Sequence, residues 1–143
     1  MAYLTLFGWS VLAATIVPLG SEPALVVLVR REYPFWPLVL VATAGNSLGA
    51  CTTWWLAKKA AALLTARATG GEAGAGSSGA ARAARLVASR GAPILVLSWV
   101  PILGDALVAA AGAAGTRFLP FTVWTVLGKF LRYVAVAWAA GAV

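Results

Sequence analysis

The sequence predicts an all-α integral membrane protein built from two inverted repeats. Each repeat is a re-entrant helical hairpin plus one transmembrane helix, and the two hairpins face each other at the membrane midplane. The 143 residues are 62% hydrophobic and 10% charged, with a mean hydropathy of +0.89, which is too apolar for one small water-soluble core. Most of the chain lies in four apolar blocks of about the ~20 residues that span a bilayer. Two of these blocks are interrupted by a proline and a carboxylate.

The apolar blocks cover residues 4–29, 35–57, 92–115 and 118–143. The first block lacks the basic start and the cleavage site of a signal peptide, so we expect it to stay in the membrane. The chain has no histidine and a single cysteine, Cys51. We therefore expect no disulfide framework, no zinc or haem site and no cofactor.

The first block is interrupted by Pro18, Gly20, Glu22 and Pro23. Proline removes a backbone donor and clashes with the preceding turn, so a helix entering this region should stop near Val17. Non-helical backbone at bilayer depth is tolerated only where protein or a water-filled cavity covers it. A hairpin with arms of ~12 residues and ~18 Å would reach slightly past the middle of the ~30 Å hydrocarbon core.

The second block, residues 35–57, is predicted to cross the membrane and to lead into a basic linker. Residues 58–90 carry six cations and one acid, as the positive-inside rule expects on the cytoplasmic side. The Gly/Ala/Ser tract at its centre is expected to be flexible. Arg82, Arg85 and Ser89 then follow at helical spacing, which suits an interfacial helix facing anionic head groups. A solvated linker is the alternative interpretation.

The third and fourth blocks repeat the pattern of the first two at an offset of 83 residues. The second break comprises Pro101, Gly104 and Asp105, and a helix entering it should stop near Val100. One hairpin plus one span makes an odd number of crossings, so the second repeat must be inverted. We predict one membrane domain, with repeat one at 1–59, the linker at 60–90 and repeat two at 91–143. The coinciding positions are Val17-Pro18 with Val100-Pro101, Glu22 with Asp105, Phe35 with Phe118, Pro37 with Pro120, Gly45 with Gly128 and Trp55 with Trp138.

Five polar residues within the apolar blocks form the predicted substrate and proton site. Charged side chains at membrane depth are expensive and are usually functional or paired. In the lipid-handling hypothesis, the cations attract a lipid phosphate while the acids bind protons or pair with the cations when the site is empty. The alternative is that Glu22 with Arg132, and Asp105 with Lys129, form static ion pairs. In both cases we expect Arg132 to pair with Glu22 or Asp105. The five residues are Glu22, Asn46, Asp105, Lys129 and Arg132.

Four runs of the chain are similar to a known family: LGSEP, GNSLGACTTWWLAKK, SWVPILGD and GKFLRYVAVA. On these runs, the chain resembles the DedA superfamily, also called VTT-domain or SNARE-associated Golgi proteins, and in particular its short YqaA-like bacterial branch. The resemblance implies two facing re-entrant hairpins, a multi-pass position in the bacterial inner membrane, and a flippase or scramblase activity. Glu22 matches an acid that matters in the better-studied DedA branch. Two arginines of that branch have no counterpart here, because Trp99 and Gly104-Asp105 occupy the matching stretch.

We therefore expect translocation of a lipid phosphate, such as undecaprenyl phosphate or a phospholipid, with protons as coupling ions. A proton- or ion-coupled transporter of small solutes is the alternative, since buried acids and facing hairpins suit either cargo. A membrane enzyme is the third class; Ser21 and Ser98 lie near the breaks, but a serine triad needs a histidine. No catalytic residue, metal site or nucleic-acid partner is expected, and the sequence leaves homo-oligomerisation open.

Overall fold

A computed structural model of the chain describes residues 1–15, 22–67, 78–100 and 102–141, and within these ranges it contains helices and no strands. The predicted all-α class is therefore confirmed for the described part of the chain. In order, the helices are α1 (Ala2–Thr15), α2 (Glu22–Arg30), α3 (Phe35–Arg67), α4 (Ser78–Arg90), a 3₁₀ helix (Ala92–Trp99), α5 (Leu103–Ala113) and α6 (Phe118–Gly141).

The start of α1 and the end of α2 lie at the same end of the molecule. The rings of Tyr3, at the start of α1, and Tyr33, just after α2, meet edge to face with centroids 5.8 Å apart. The turn after α2 is closed by backbone bonds to the carbonyls of its last turn, and Glu32 takes a left-handed φ of 62°. We refer to residues 1–33 as the first hairpin.

The first break is shorter than the sequence predicts. Glu22 and Pro23 belong to the first turn of α2, where a proline is tolerated because its missing N–H would have no helical partner. The prediction that Pro23 lies in non-helical backbone is therefore wrong. Pro18 and Gly20 lie outside the described residues.

Helix α3 continues past residue 57, the end of the predicted span, to Arg67. The residues that extend it are rich in alanine, leucine and lysine, which are good helix formers. Two lysines also lie over tryptophan rings of the same helix, Lys58 over Trp54 at 4.9 Å and Lys59 over Trp55 at 3.9 Å. Such contacts favour the helical conformation at this end of the span.

The second break is bounded by a 3₁₀ helix instead of an α-helix. Pro93 lies in its first turn, and the Val100 N–H bonds to the Leu97 carbonyl where it ends, as expected for a stop near Val100. Gly104 and Asp105 are part of α5, so their predicted placement in non-helical backbone is wrong. Helix α5 can begin that early because Ile102 takes a left-handed φ of 66° and turns the chain. Pro101 lies outside the described residues.

In each half, one of the shorter helices packs on the long helix of the other half. Helix α1 packs on α3, and the 3₁₀ helix packs on α6, but α2 packs on α6 and α5 packs on α3. Helices α3 and α6 run antiparallel, since Trp54 stacks on Phe121 while Leu38 shares a cluster with Ala137. We refer to residues 92–115 as the second hairpin, and it lies toward the opposite end of α3 from the first.

Two apolar clusters of buried side chains hold these helices together, one toward each end of α3 and α6. The first cluster contains Leu6, Leu25, Leu38, Val39, Ala42, Tyr133 and Ala137. The second contains Ala50, Trp54, Ala83, Val87, Ile94, Leu95, Leu107, Val108, Ala111 and Phe121.

Much of the outer surface is apolar, as a lipid-facing surface requires. Among the described helices, α6 alone is both long and apolar enough to cross a membrane by length and composition, while α1 and α5 are apolar but shorter. Helix α3 is longer, but polar residues at its middle lower its hydropathy. Large exposed apolar side chains include Leu4, Trp36, Leu40, Leu48, Leu119, Leu131 and Trp138.

Helix α4 forms as the spacing of its arginines predicts. Ala83 and Val87 are buried against α5 and the 3₁₀ helix, while Arg82 and Arg85 point outward. The helix therefore covers the second hairpin and presents a basic face at that end.

Candidate functional site

A layer of buried polar side chains separates the two apolar clusters. It lies halfway along the apolar part of α3 and along α6, where Asn46 contacts Lys129. We call this set the midspan polar layer. It contains every buried polar side chain of the described residues: Ser10, Thr43, Asn46, Ser47, Ser98, Thr125 and Lys129.

The Lys129 ammonium is the most deeply buried cation of the described residues, with 2% of the residue exposed. Its Nζ donates a hydrogen bond to Asn46 Oδ1 at 2.6 Å. The Asn46 amide in turn donates to the Tyr133 hydroxyl at 2.5 Å. An ammonium held by a neutral amide at membrane depth keeps much of its desolvation cost, which an anionic ligand would reduce.

Arg132 lies one turn further along α6 and forms an ion pair with Glu22, the first residue of α2. The side chains of Arg132 and Glu22 are 15% and 26% exposed. The expected pairing of Arg132 with an acid of a hairpin is therefore confirmed. This contact ties the inner end of the first hairpin to a helix of the other half.

Asp105 has no such partner, although it occupies the matching place in the second half. It lies half-buried in the first turn of α5 and forms no ion pair with any described residue. Lys129 is close enough to attract its carboxylate electrostatically. The static pair of Asp105 with Lys129, one of the alternatives left open by the sequence, does not form, because Lys129 bonds to Asn46 instead.

Several hydroxyls of the midspan polar layer have no hydrogen-bond partner among the described residues. They are Ser10 Oγ, Thr43 Oγ1, Ser47 Oγ and Thr125 Oγ1. Buried polar groups in native proteins nearly always find a partner in protein, ordered water or ligand. The layer can therefore solvate a polar group brought to mid-membrane depth.

Sequence reasoning found the charged members of the site and Asn46, but it did not assign the hydroxyl-bearing side chains to the site. Thr125, Lys129 and Tyr133 repeat at intervals of four residues along α6, so they form a polar stripe on an otherwise apolar helix. This spacing in the sequence could have identified the neutral residues of the site on α6. Thr43 and Ser47 have the same spacing on α3.

The other candidate chemistries gain no support from the described residues. No group of three or more histidine, cysteine, aspartate or glutamate side chains is placed to hold a metal ion there. Ser98 is buried and donates its hydroxyl hydrogen bond to the Thr125 carbonyl at 3.3 Å. Ser21 lies outside the described residues.

Comparison with known proteins identifies relatives along nearly the whole chain. Residues 6–140 match the VTT domain. The inner membrane protein YqaA of Escherichia coli K12 is 37% identical over 139 residues, covering 96% of this chain and 89% of that protein, and YqaA of Shigella flexneri gives the same values. An uncharacterized protein of Haemophilus influenzae is 32% identical over 87% of this chain and 78% of its own length. No solved structure matches.

Proposed function

Since the chain belongs to the VTT-domain family of membrane proteins, also called the DedA family, we propose that it transports a lipid phosphate across the membrane. The relatives are inner membrane proteins by name, and this chain is a protein of the bacterial inner membrane. The proposed cargo is undecaprenyl phosphate or a phospholipid. The observation that carries the proposal is the buried Lys129 ammonium, which has a neutral partner at mid-membrane depth.

The packing of the helices supports an inverted repeat. An inverted repeat with a two-fold axis in the membrane plane relates each contact in one half to an equivalent contact in the other. The exchange of partners, α2 on α6 and α5 on α3, has this form. The offset of 83 residues also carries Leu25 to Val108 and Leu38 to Phe121, so it carries residues of one apolar cluster into the other.

The proposed axis passes through the candidate site. Asn46 and Lys129 are equivalent positions, separated by 83 residues, and they contact each other. Two equivalent residues can touch only beside the axis that relates them. In this proposal the buried cation lies between two hairpins that are re-entrant from opposite faces, and the transport cycle exposes it to each face in turn.

In the proposed cycle, Lys129 and Arg132 bind the phosphate while the acyl or isoprenoid tails remain in apolar surroundings. Charge-assisted hydrogen bonds to phosphate are about twice as strong as neutral ones, and more so in a water-poor site. The phosphate competes with Glu22 for Arg132, and its arrival near Asp105 favours protonation of that acid. Release of the proton on the other side would then favour release of the lipid.

The test is a flipping assay with purified protein in liposomes that contain a labelled undecaprenyl phosphate or a labelled anionic phospholipid. A membrane-impermeant quencher reports how fast the label changes leaflet across a range of pH. We expect Lys129→Gln to weaken lipid binding about tenfold or more, the value of one lost hydrogen bond to a charged group. Glu22→Gln and Asp105→Asn should retain binding but slow transport or remove its dependence on pH.

Lys58→Gln is the matched control, because Lys58 is an exposed lysine at the end of the span. It should flip lipid at the wild-type rate. Equal flipping with and without protein for each anionic lipid would contradict the proposal. Uptake of a small anion under the same conditions would then favour the solute transporter.

A further inference from the structure

A groove runs between α1 and α2 on the membrane-facing side of the first hairpin. Its volume is about 660 Å³, within the ~300–1,000 Å³ of ordinary ligand pockets. Apolar side chains of both helices form its walls. The lining residues are Ala2, Thr5, Leu6, Trp9, Pro23, Ala24, Val27 and Leu28.

The groove offers almost nothing to a polar ligand. Its one hydroxyl, on Thr5, already donates to the Met1 carbonyl at 3.2 Å. Trp9 and Val27 on its walls remain 53% and 51% exposed, so the groove is open to the side. A chain of methylene groups is the chemistry that fits an apolar, laterally open groove in a bilayer.

The inner end of the groove leads to the charged part of the site. Because α1 and α2 are antiparallel, Ala2 and Leu28 line the outer end, and Trp9 and Pro23 line the inner end. Pro23 directly follows Glu22, whose carboxylate pairs with Arg132. Helix α1 rises by about 10 Å between Ala2 and Trp9. An occupant lying in the groove therefore has one end near Glu22, the partner of Arg132, and the other at the outer end of the first hairpin.

The two helices of the second hairpin are in close contact where the 3₁₀ helix ends and α5 begins. A Cβ on Gly104 of α5 would overlap the Ser98 carbonyl at the end of the 3₁₀ helix. These two helices pack closely, whereas α1 and α2 touch only lightly. We therefore place the occupant in the first hairpin, whose two helices touch only lightly.

We propose that the groove between α1 and α2 binds the hydrocarbon tail of the lipid whose phosphate reaches Arg132. This inference rests on the proposed function and adds where the tail lies. Transfer of a tail from bilayer to groove gains little hydrophobic free energy, because both are apolar. The groove therefore orients the lipid, and the head group supplies the selectivity.

The test uses full-length protein in nanodiscs that contain phosphatidylglycerol with a photoactivatable diazirine on one tail. After irradiation, we expect mass spectrometry to find labelled peptides from α1 and α2. Val27→Trp fills the groove and should lower this labelling about tenfold, which corresponds to ~1.4 kcal/mol of lost packing. Val123→Trp is the matched control, since Val123 is 56% exposed on α6 outside the groove, and it should leave the labelling unchanged.

Three outcomes separate this inference from the proposed function. Labelling spread evenly over exposed surfaces such as Leu131, in a protein that flips lipid, would overturn the tail site and leave transport intact. Labelling in the groove that disappears with Val27→Trp, in a protein that flips nothing, would support a bound lipid and contradict transport. A disulfide that forms between two copies of a Val27→Cys variant, in a Cys51→Ser background, would assign the groove to a dimer and overturn the inference.

Discussion

The two hairpins have the same sequence pattern but differ in packing and in charge. In the first, α1 is a regular α-helix, a groove separates it from α2, and Glu22 is paired with Arg132. In the second, an eight-residue 3₁₀ helix packs closely on α5, and Asp105 forms no ion pair with any residue that the structure describes. A 3₁₀ helix rises ~2 Å per residue, so these eight residues are about 16 Å long, which is enough to reach mid-membrane depth.

A single pair of equivalent positions explains why the acids differ. At the offset of 83 residues, Gly49 of α3 corresponds to Arg132 of α6. The position that would pair with Asp105, as Arg132 pairs with Glu22, is therefore a glycine. Gly49 is needed there, because a Cβ would overlap the Ala14 side chain of α1. One half therefore uses this position for close helix packing, and the other uses it for charge. If the two halves are the proposed repeats, this difference gives one hairpin with loosely packed helices and one with closely packed helices.

The largest expected effect concerns the side of the membrane to which each hairpin returns. In a Cys51→Ser background, Ala2→Cys and Arg31→Cys should react with an impermeant thiol reagent from the same side. Arg117→Cys, between α5 and α6, should react only from the other side. Labelling of Ala2→Cys and Arg31→Cys from opposite sides would make residues 1–33 a span and would remove the inverted repeat.

The next effect is on stability, and it compares Glu22, which forms an ion pair, with Asp105, which forms none among the described residues. Arg132→Gln leaves the Glu22 carboxylate without a cation at membrane depth, which should lower the free energy of unfolding by about 3 kcal/mol. Glu22→Gln with Arg132→Gln should recover much of this loss, and Asp105→Asn should cost less than ~1 kcal/mol because no ion pair is broken. Denaturant titration in detergent micelles measures these three variants and the single variant Glu22→Gln. Strictly additive losses in the double variant would contradict the pairing.

The fold was predictable where the physical constraint is local, and less so where it depends on a partner helix. Hydropathy and proline placed the helices and the stop near Val100, and the cost of intramembrane charge predicted the Glu22 to Arg132 pair. The 3₁₀ helix was not predictable, because it depends on Gly128 and Gly104 allowing backbone contact with Val96 and Ser98. The hydroxyl-bearing side chains of the site, such as Thr43 and Tyr133, were missed because hydroxyls on an apolar helix usually indicate packing.

A smaller effect tests the closeness of the second hairpin. Gly104→Ala places a methyl group against the Ser98 carbonyl, so we expect it to cost about 2 kcal/mol of stability through strain. Gly8→Ala in α1 is the control, since a Cβ there meets nothing within 4 Å, and alanine should gain up to ~1 kcal/mol from its higher helix propensity. Thermal unfolding in micelles compares them. Equal stability of the two variants would mean that the second hairpin is as open as the first.

The smallest effect concerns α4, the helix with exposed arginines that packs on the second hairpin. Helix α4 buries Ala83 and Val87 against that hairpin and leaves Arg82 and Arg85 exposed, and each cation near an anionic surface contributes about 1 kcal/mol to binding. Arg85→Gln should therefore weaken binding of phosphatidylglycerol to micellar protein by about fivefold, with a loss that shrinks as salt screens the charge. Ala84→Gln adds the same amide at a neighbouring exposed position without removing a charge, so it should leave binding unchanged. If both variants bind equally well at low salt, α4 stabilises the second hairpin through Ala83 and Val87 alone, and its arginines face solvent instead of head groups.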